Sequence, residues 1–268
     1  MRRVVFNQKG GVGKSTITSN LAAISANAGL RTLVVDLDPQ GNSTHYLLGE
    51  AVADAGSTLA EFFDQSLNFK LRPKATEEFA VASRFDNLFV MPSHPALEEL
   101  QSKLESRYKI YKLRDALNEL EGFDAIYIDT PPALNFYSRS ALIAAEGVLI
   151  PFDCDDFSRR ALYALIDNLT ELRNDHNPDL QIEGIVVNQF QARASLPQKL
   201  VSELLEEGLP VLSTYLSSSV KVRESHELAK PMIYFQPNHK LTQEYIALDA
   251  ELTARRKVID KEAKKKRA

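Results

Sequence analysis

A single cysteine, Cys154, is all the thiol chemistry this 268-residue chain carries. One cysteine cannot close an internal disulfide, which fits a reducing, cytosolic setting. A shared iron–sulfur centre takes a full set of thiolates. Two copies of this chain would bring only a pair, which argues against an electron carrier. Long apolar runs are missing too: no stretch approaches the ~18 residues of a membrane-spanning helix. Met1-Arg2-Arg3 leads straight into an apolar segment, so no secretory leader is expected. There is no internal repeat, and no helix-turn-helix unit is expected ahead of the first strand. Acid is scarce at the C-terminus. Residues 255–268 hold eight basic side chains against Asp260 and Glu262, a local +6 that leaves the body at −10 within a net charge of −4. Such a tail suits a polyanionic partner, or serves as a solvated, frayed end.

What is present reads as one α/β unit over residues 1–254, followed by the basic tail at 255–268. Apolar strands are expected at 4–6, 32–36, 88–91, 125–129, 148–151, 182–188 and 211–213. Helical patterns fall at 15–28, 96–106, 111–120, 159–173 and 197–207. Near-continuous Val/Ile/Leu strands separated by helices imply a mostly parallel twisted sheet with helices on both faces, in a single domain. Ligands then bind beyond the carboxyl ends of the strands. Residues 49–87 are polar and irregular, and are expected on the rim.

Between the first strand and first helix lies Asn7-Gln8-Lys9-Gly10-Gly11-Val12-Gly13-Lys14-Ser15-Thr16. Gly10, Gly11 and Gly13 let backbone N–H groups converge on an anion, and the helix N-terminus adds favourable charge there. Lys14 can reach terminal phosphates and the Ser15 hydroxyl can bind Mg²⁺. The usual P-loop has a glycine where this chain has Gln8, and here a second lysine, Lys9, stands at the loop entrance.

Three strand ends carry further polar groups. Asp36 and Asp38, in Asp36-Leu37-Asp38-Pro39-Gln40-Gly41-Asn42, are spaced to face one ligand. Asp38 is the candidate to position an attacking water. Asp36 belongs either to the Mg²⁺ shell or to the support of the loop. Asp129, ahead of Thr130-Pro131-Pro132, ends an apolar strand in the Walker B manner and is a candidate for holding Mg²⁺. Asn188 has an amide suited to an adenine edge, or to a strand-end turn.

Lys9–Thr16, Asp36–Asn42 and Asp129–Pro132 together resemble the deviant Walker A, A′ and B motifs of the ParA/MinD P-loop ATPases. The likeness is nearest the ParA branch, continues through Val222-Arg223-Glu224-Ser225 and Ala229-Lys230-Pro231, and covers nearly the whole chain. The resemblance implies ATP and Mg²⁺ as cofactors, with residues 9–16 cradling the nucleotide. It implies that Lys9 reaches across a homodimer to the partner's ATP, while Lys14 serves its own. It also implies an ATP-bound dimer that binds DNA without sequence specificity. Hydrolysis would be slow, since Asp38 would act with no arginine finger, until a ParB-like or cargo-adaptor protein stimulates it. The protein would then segregate or position a cargo on the nucleoid. Arg223 stands where relatives carry a DNA-binding basic residue, and Lys199 and Lys221 are added as DNA contacts or as a solvated face. The approach Ser217-Ser218-Ser219 departs from the basic or proline-containing sequence usual there.

The alternative is a MinD-like ATPase working on a membrane surface. It needs an amphipathic terminal helix, whereas residues 255–268 offer only Val258 and Ile259 among charges, so no stable insertion is expected. Metabolic ligases of the dethiobiotin-synthetase type share the fold without need of Lys9. A tyrosine autokinase would carry a C-terminal tyrosine cluster, and the last tyrosine here is Tyr245.

Overall fold

The computed structural model describes residues 1–54, 56–68, 70–154 and 156–267. In chain order the elements are β1 (Arg2–Val5), α1 (Lys14–Asn27), β2 (Thr32–Asp36), α2 (Asn42–Leu48), α3 (Leu59–Leu67), β3 (Val81–Ala82), β4 (Leu88–Met91), α4 (Leu97–Ser106), α5 (Lys112–Glu119) and β5 (Ala125–Asp129). They continue as α6 (Phe136–Ala144), β6 (Gly147–Asp153), α7 (Asp156–His176), β7 (Gln181–Asn188), α8 (Ser195–Glu206), α9 (Lys221–Glu227), α10 (Met232–Phe235) and α11 (Lys240–Arg267). The strands form one sheet in the order β3-β4-β2-β5-β1-β6-β7. Every pairing is parallel except the two-residue edge strand β3, which runs antiparallel to β4.

Strand side chains alternate between two cores, as the period of a strand requires. Val4, Leu33, Val35, Ile126 and Ile128 meet Phe63, Phe136 and Leu165 on one face. Val5, Val34, Tyr127 and Leu149 meet Leu21, Met232, Leu248 and Leu252 on the other. Burial on both faces explains why these strands read as continuous apolar runs.

One expectation changes. Val211–Ser213 is not a strand: it contributes one parallel bridge, Ile185 to Val211, outside the sheet. Leu212 crosses so close to Gly184 that a Cβ there would meet its side chain at 2.5 Å, so this segment packs over β7 rather than extending the ladder. The C-terminal basic run continues α11, which passes residue 254 without a break. Arg255 pairs with Glu251 at 3.3 Å, and Arg256 pairs with Glu146 at 2.5 Å and Glu183 at 3.6 Å. The side chains of Asp260 and of residues 262–267 lie outside the described residues, and so does most of the tail's charge.

Candidate functional site

The sheet order sets β1 between β5 and β6, so the glycine loop leaves its centre. Register then aligns Asp36 with Asp129 on adjacent strands, and Val5 with Asp129 on the other side. Carboxylates far apart in sequence thereby meet beneath one loop.

Gly11 and Gly13 hold φ of 78° and 88°, the left-handed region where a Cβ is costly. A Cβ on Gly13 would also run into Asn188 Nδ2. Asn188 Nδ2 donates to Val12 O at 2.9 Å, so this amide braces the loop from β7. Asn7 fixes the other end: its Nδ2 donates to Pro151 O at 2.7 Å, and its Oδ1 accepts from Lys9 N at 2.9 Å.

Two cavities adjoin this loop. One, of about 380 Å³, is lined by Gly10, Lys14, Ser15, Thr16, Asp38 and Gln40 among others. The second, of about 300 Å³, shares Gly11, Gly13 and Thr16 and continues past Asn188 to Ser217–Ser219 and Arg223. Carboxylates of α11 hold the Ser217 wall: Glu244 accepts from Ser217 N at 2.7 Å, and Glu251 accepts from Ser213 N and Thr214 N at 2.8 and 2.9 Å.

Lys14 is buried at the base of the first cavity and donates from Nζ to Lys9 O at 3.0 Å. Burial pushes its ammonium pKa down, against the pull of Asp129 and Asp38. Lys9 is half-buried, with Nζ 3.6 Å from Asp153 Oδ2 at the end of β6. Asp38 lines the cavity, with Oδ1 accepting from Gln40 N at 3.0 Å and its carbonyl taking the Ser93 hydroxyl at 2.5 Å.

Asp36 sits elsewhere. It is fully buried, and Oδ2 accepts from both Thr44 N and Thr44 Oγ1 at 2.7 Å, while Oδ1 accepts from Asp38 N at 3.2 Å. These bonds give it the loop-supporting place rather than a cavity wall. Burial and the nearby Asp129 raise its pKa well above the ordinary range, against the Thr44 bonds. Asp129 is equally buried and accepts from Ser43 Oγ at 2.7 Å and from the Ser15 hydroxyl. Burial pushes its pKa up to about 6, while the Ser15 and Ser43 bonds work against the shift.

No trio of His, Cys, Asp and Glu among the described residues could hold a metal alone. Mg²⁺ in phosphate sites keeps several waters and takes one or two protein ligands plus the phosphates. The Ser15–Asp129 pair beside a glycine cradle meets that smaller demand.

The three DNA candidates fall on two helices, Lys199 on α8 and both Lys221 and Arg223 on α9. Lys199, on α8, is exposed and sits 3.8 Å from Glu203, and Lys221, on α9, pairs with Glu224 at 2.7 Å. Arg223 borders the second cavity. Among the cavity residues that sequence reasoning did not single out are Gln189, Leu241 and Tyr245 in the second cavity and His226 in the first. His226 follows directly on the Val222–Ser225 motif, and that adjacency was the available signal.

A glycine cradle, two lysines, a hydroxyl–carboxylate pair and a mostly parallel sheet define a P-loop nucleotide-binding protein. A family model described as an AAA domain matches residues 3–182. The chromosome partitioning protein ParA of Myxococcus xanthus is 33% identical over 94% of this chain and 87% of its own length. The chromosome-partitioning ATPase Soj of Thermus thermophilus is 32% identical, covering 95% of this chain and 96% of its own. The cobyrinic acid a,c-diamide synthase of Mycobacterium smegmatis, solved with an ATP analogue and magnesium, superposes with a TM-score of 0.73 at 26% identity over 90% of this chain and 98% of its own. The chain belongs to the ParA/MinD family of P-loop ATPases, the partition and positioning ATPases. Among the described residues no helix is long and apolar enough to cross a membrane.

Proposed function

We propose that this protein is an Mg²⁺-dependent ATPase that works as a dimeric switch on DNA. The observation that carries the reading is the pair of lysines on one glycine loop: Lys14 is buried at the cavity base while Lys9, at the loop entrance, is partly exposed beside Asp153. A buried lysine suffices for a subunit's own phosphates. A second one at the loop entrance is explained by phosphates arriving on another copy. ATP then acts as the dimer's glue, and dimerisation doubles whatever basic surface one copy presents, so nucleotide state sets DNA affinity by linkage.

Within one site the chain's groups divide the work. Backbone N–H groups of residues 10–15 and the Lys14 ammonium bind and orient the phosphates. Asp38 lies on the same cavity and orients a water for in-line attack. Mg²⁺, held by Ser15 with Asp129 behind it, would neutralise phosphate charge. With no arginine finger supplied, turnover is slow until a ParB-like partner or cargo adaptor binds. The cargo is a plasmid, chromosome or protein complex on the nucleoid, and the near full-length similarity to ParA and Soj supports this reading. Lys199, Lys221, Arg223 and the basic end of α11 are its proposed DNA contacts, with a salt-dependent affinity.

The test is DNA binding by purified protein with ATP, ADP or no nucleotide across a salt series. ATP-dependent, sequence-independent, salt-sensitive binding is expected. DNA binding that is absent, or equal in all three states, overturns the reading and turns the test to anionic liposomes and the membrane-surface alternative.

A further inference from the structure

His226 is joined to the nucleotide loop in a way that phosphate binding must alter. Its Nε2 lies 3.1 Å from Thr16 Oγ1, in the first turn of α1. Its ring is stacked on Tyr46, with centroids 3.8 Å apart and planes 12° from parallel. Tyr46 is itself fixed: its hydroxyl is 2.8 Å from Ser225 Oγ and accepts from Asn20 Nδ2 at 3.4 Å. Asn20 Nδ2 also donates to Thr16 O at 2.9 Å, and its Oδ1 accepts from Met232 N at 2.8 Å. The ring is therefore aimed at Thr16 by a packed polar cluster, and the His226–Thr16 contact joins α9 to α1.

Thr16 lines both cavities, and His226 lines the phosphate end. A hydroxyl has one proton to give, and phosphate oxygens only accept. Once Thr16 donates to a bound phosphate it can only accept from His226. The imidazole must then carry its proton on Nε2. Without an anion either direction is open. Burial disfavours the charged ring, so this is a choice between neutral tautomers rather than a change of charge.

We infer that His226 is a positioning residue that reads phosphate occupancy through Thr16 and holds α9, with Lys221 and Arg223, in the nucleotide-bound arrangement. The inference rests on the reading above that this cavity takes a nucleotide. It adds a path by which occupancy reaches the helix bearing two of the proposed DNA contacts.

The test uses the full-length protein labelled with 15N-histidine and Mg-ADP as the probe, with the His226 signals assigned by their loss in His226→Gln. In the complex Nε2 is expected to resonate as a protonated, pyrrole-type nitrogen, and a pyridine-type Nε2 there overturns the inference. Affinity gives a second arm. His226→Phe keeps the stack on Tyr46 without the bond, and should weaken Mg-ADP binding about fivefold. His226→Gln, which can still donate to Thr16, should recover most of that loss. Wild-type affinity in His226→Phe, or equal loss in both folded variants, defeats the inference. Failure of the wild type itself to bind Mg-ADP would instead defeat the nucleotide reading on which it stands.

Discussion

Replacing Glu183 with Gln should destabilise the whole protein although Glu183 lies far from the cavity in function. Glu183 and Arg3 are almost completely buried, on β7 and β1, and the Arg3 Nε donates to Glu183 Oε2. Arg3 also reaches Tyr127 Oη at 3.3 Å, and Arg256 approaches the same carboxylate from α11 at 3.6 Å. Glu183→Gln preserves volume but takes from a buried guanidinium its hydrogen-bonded counter-charge, leaving only the weaker pull of Asp249. Breaking one partner of a buried ion pair costs about 3–5 kcal/mol. At ~2–4 °C per kcal/mol for a chain of this size, the melting temperature should fall by roughly 6–20 °C. The assay is thermal unfolding by circular dichroism, with urea titration as a check. The double variant Arg3→Met/Glu183→Leu removes both charges, and should recover most of the loss because Arg256 keeps Glu146 at 2.5 Å. A Glu183→Gln protein melting within about 2 °C of wild type would refute the argument that this pair is uncompensated when halved.

Three further outcomes follow from the site. Asp129→Asn should stabilise the nucleotide-free protein at pH 7.5 by about 1–3 kcal/mol. Burial holds the native Asp129 pKa up at about 6, so wild-type stability falls as pH rises from the unfolded value toward 6; the variant's advantage should vanish near pH 4, and a variant less stable at pH 7.5 contradicts this. Gly13→Ala forces a Cβ into φ 88° and against Asn188, which should cost at least ~1–2 kcal/mol and abolish Mg-ADP binding in a titration; unchanged melting and binding would show that the loop yields. Asp38→Ala should bind Mg-ATP and dimerise without hydrolysing it, and unchanged phosphate release would remove Asp38 from the mechanism.

The central sheet was legible because its strands are buried on both faces, and Thr32–Asp36, Leu88–Met91 and Ala125–Asp129 stand at the bounds read from sequence. The Val211–Ser213 run was equally apolar, yet its burial comes from crossing Gly184, a tertiary contact that no local period encodes. Helix α6 escaped notice because its sequence is buried almost all round and so lacks a polar face to mark its period. Helix α11 hid behind its charge: the same basic residues that read as a loose tail continue a regular helix, and Arg256 turns back to two glutamates from other strands and loops. The glycine loop and its carboxylates were visible as spacing. The brace from Asn188 and the Thr44 bonds that occupy Asp36 depend on register between distant strands, and only the fold supplies that.

The proposed switch depends on Lys9 acting beyond its own subunit. The most direct measurement is the solution mass, by light scattering, of Asp38→Ala and of Lys9→Ala/Asp38→Ala, each with Mg-ATP and with Mg-ADP. Asp38→Ala should double its mass with ATP alone, while the protein also lacking Lys9 should bind ATP yet stay monomeric. An ATP-dependent dimer that forms equally well without Lys9 would contradict the proposed switch.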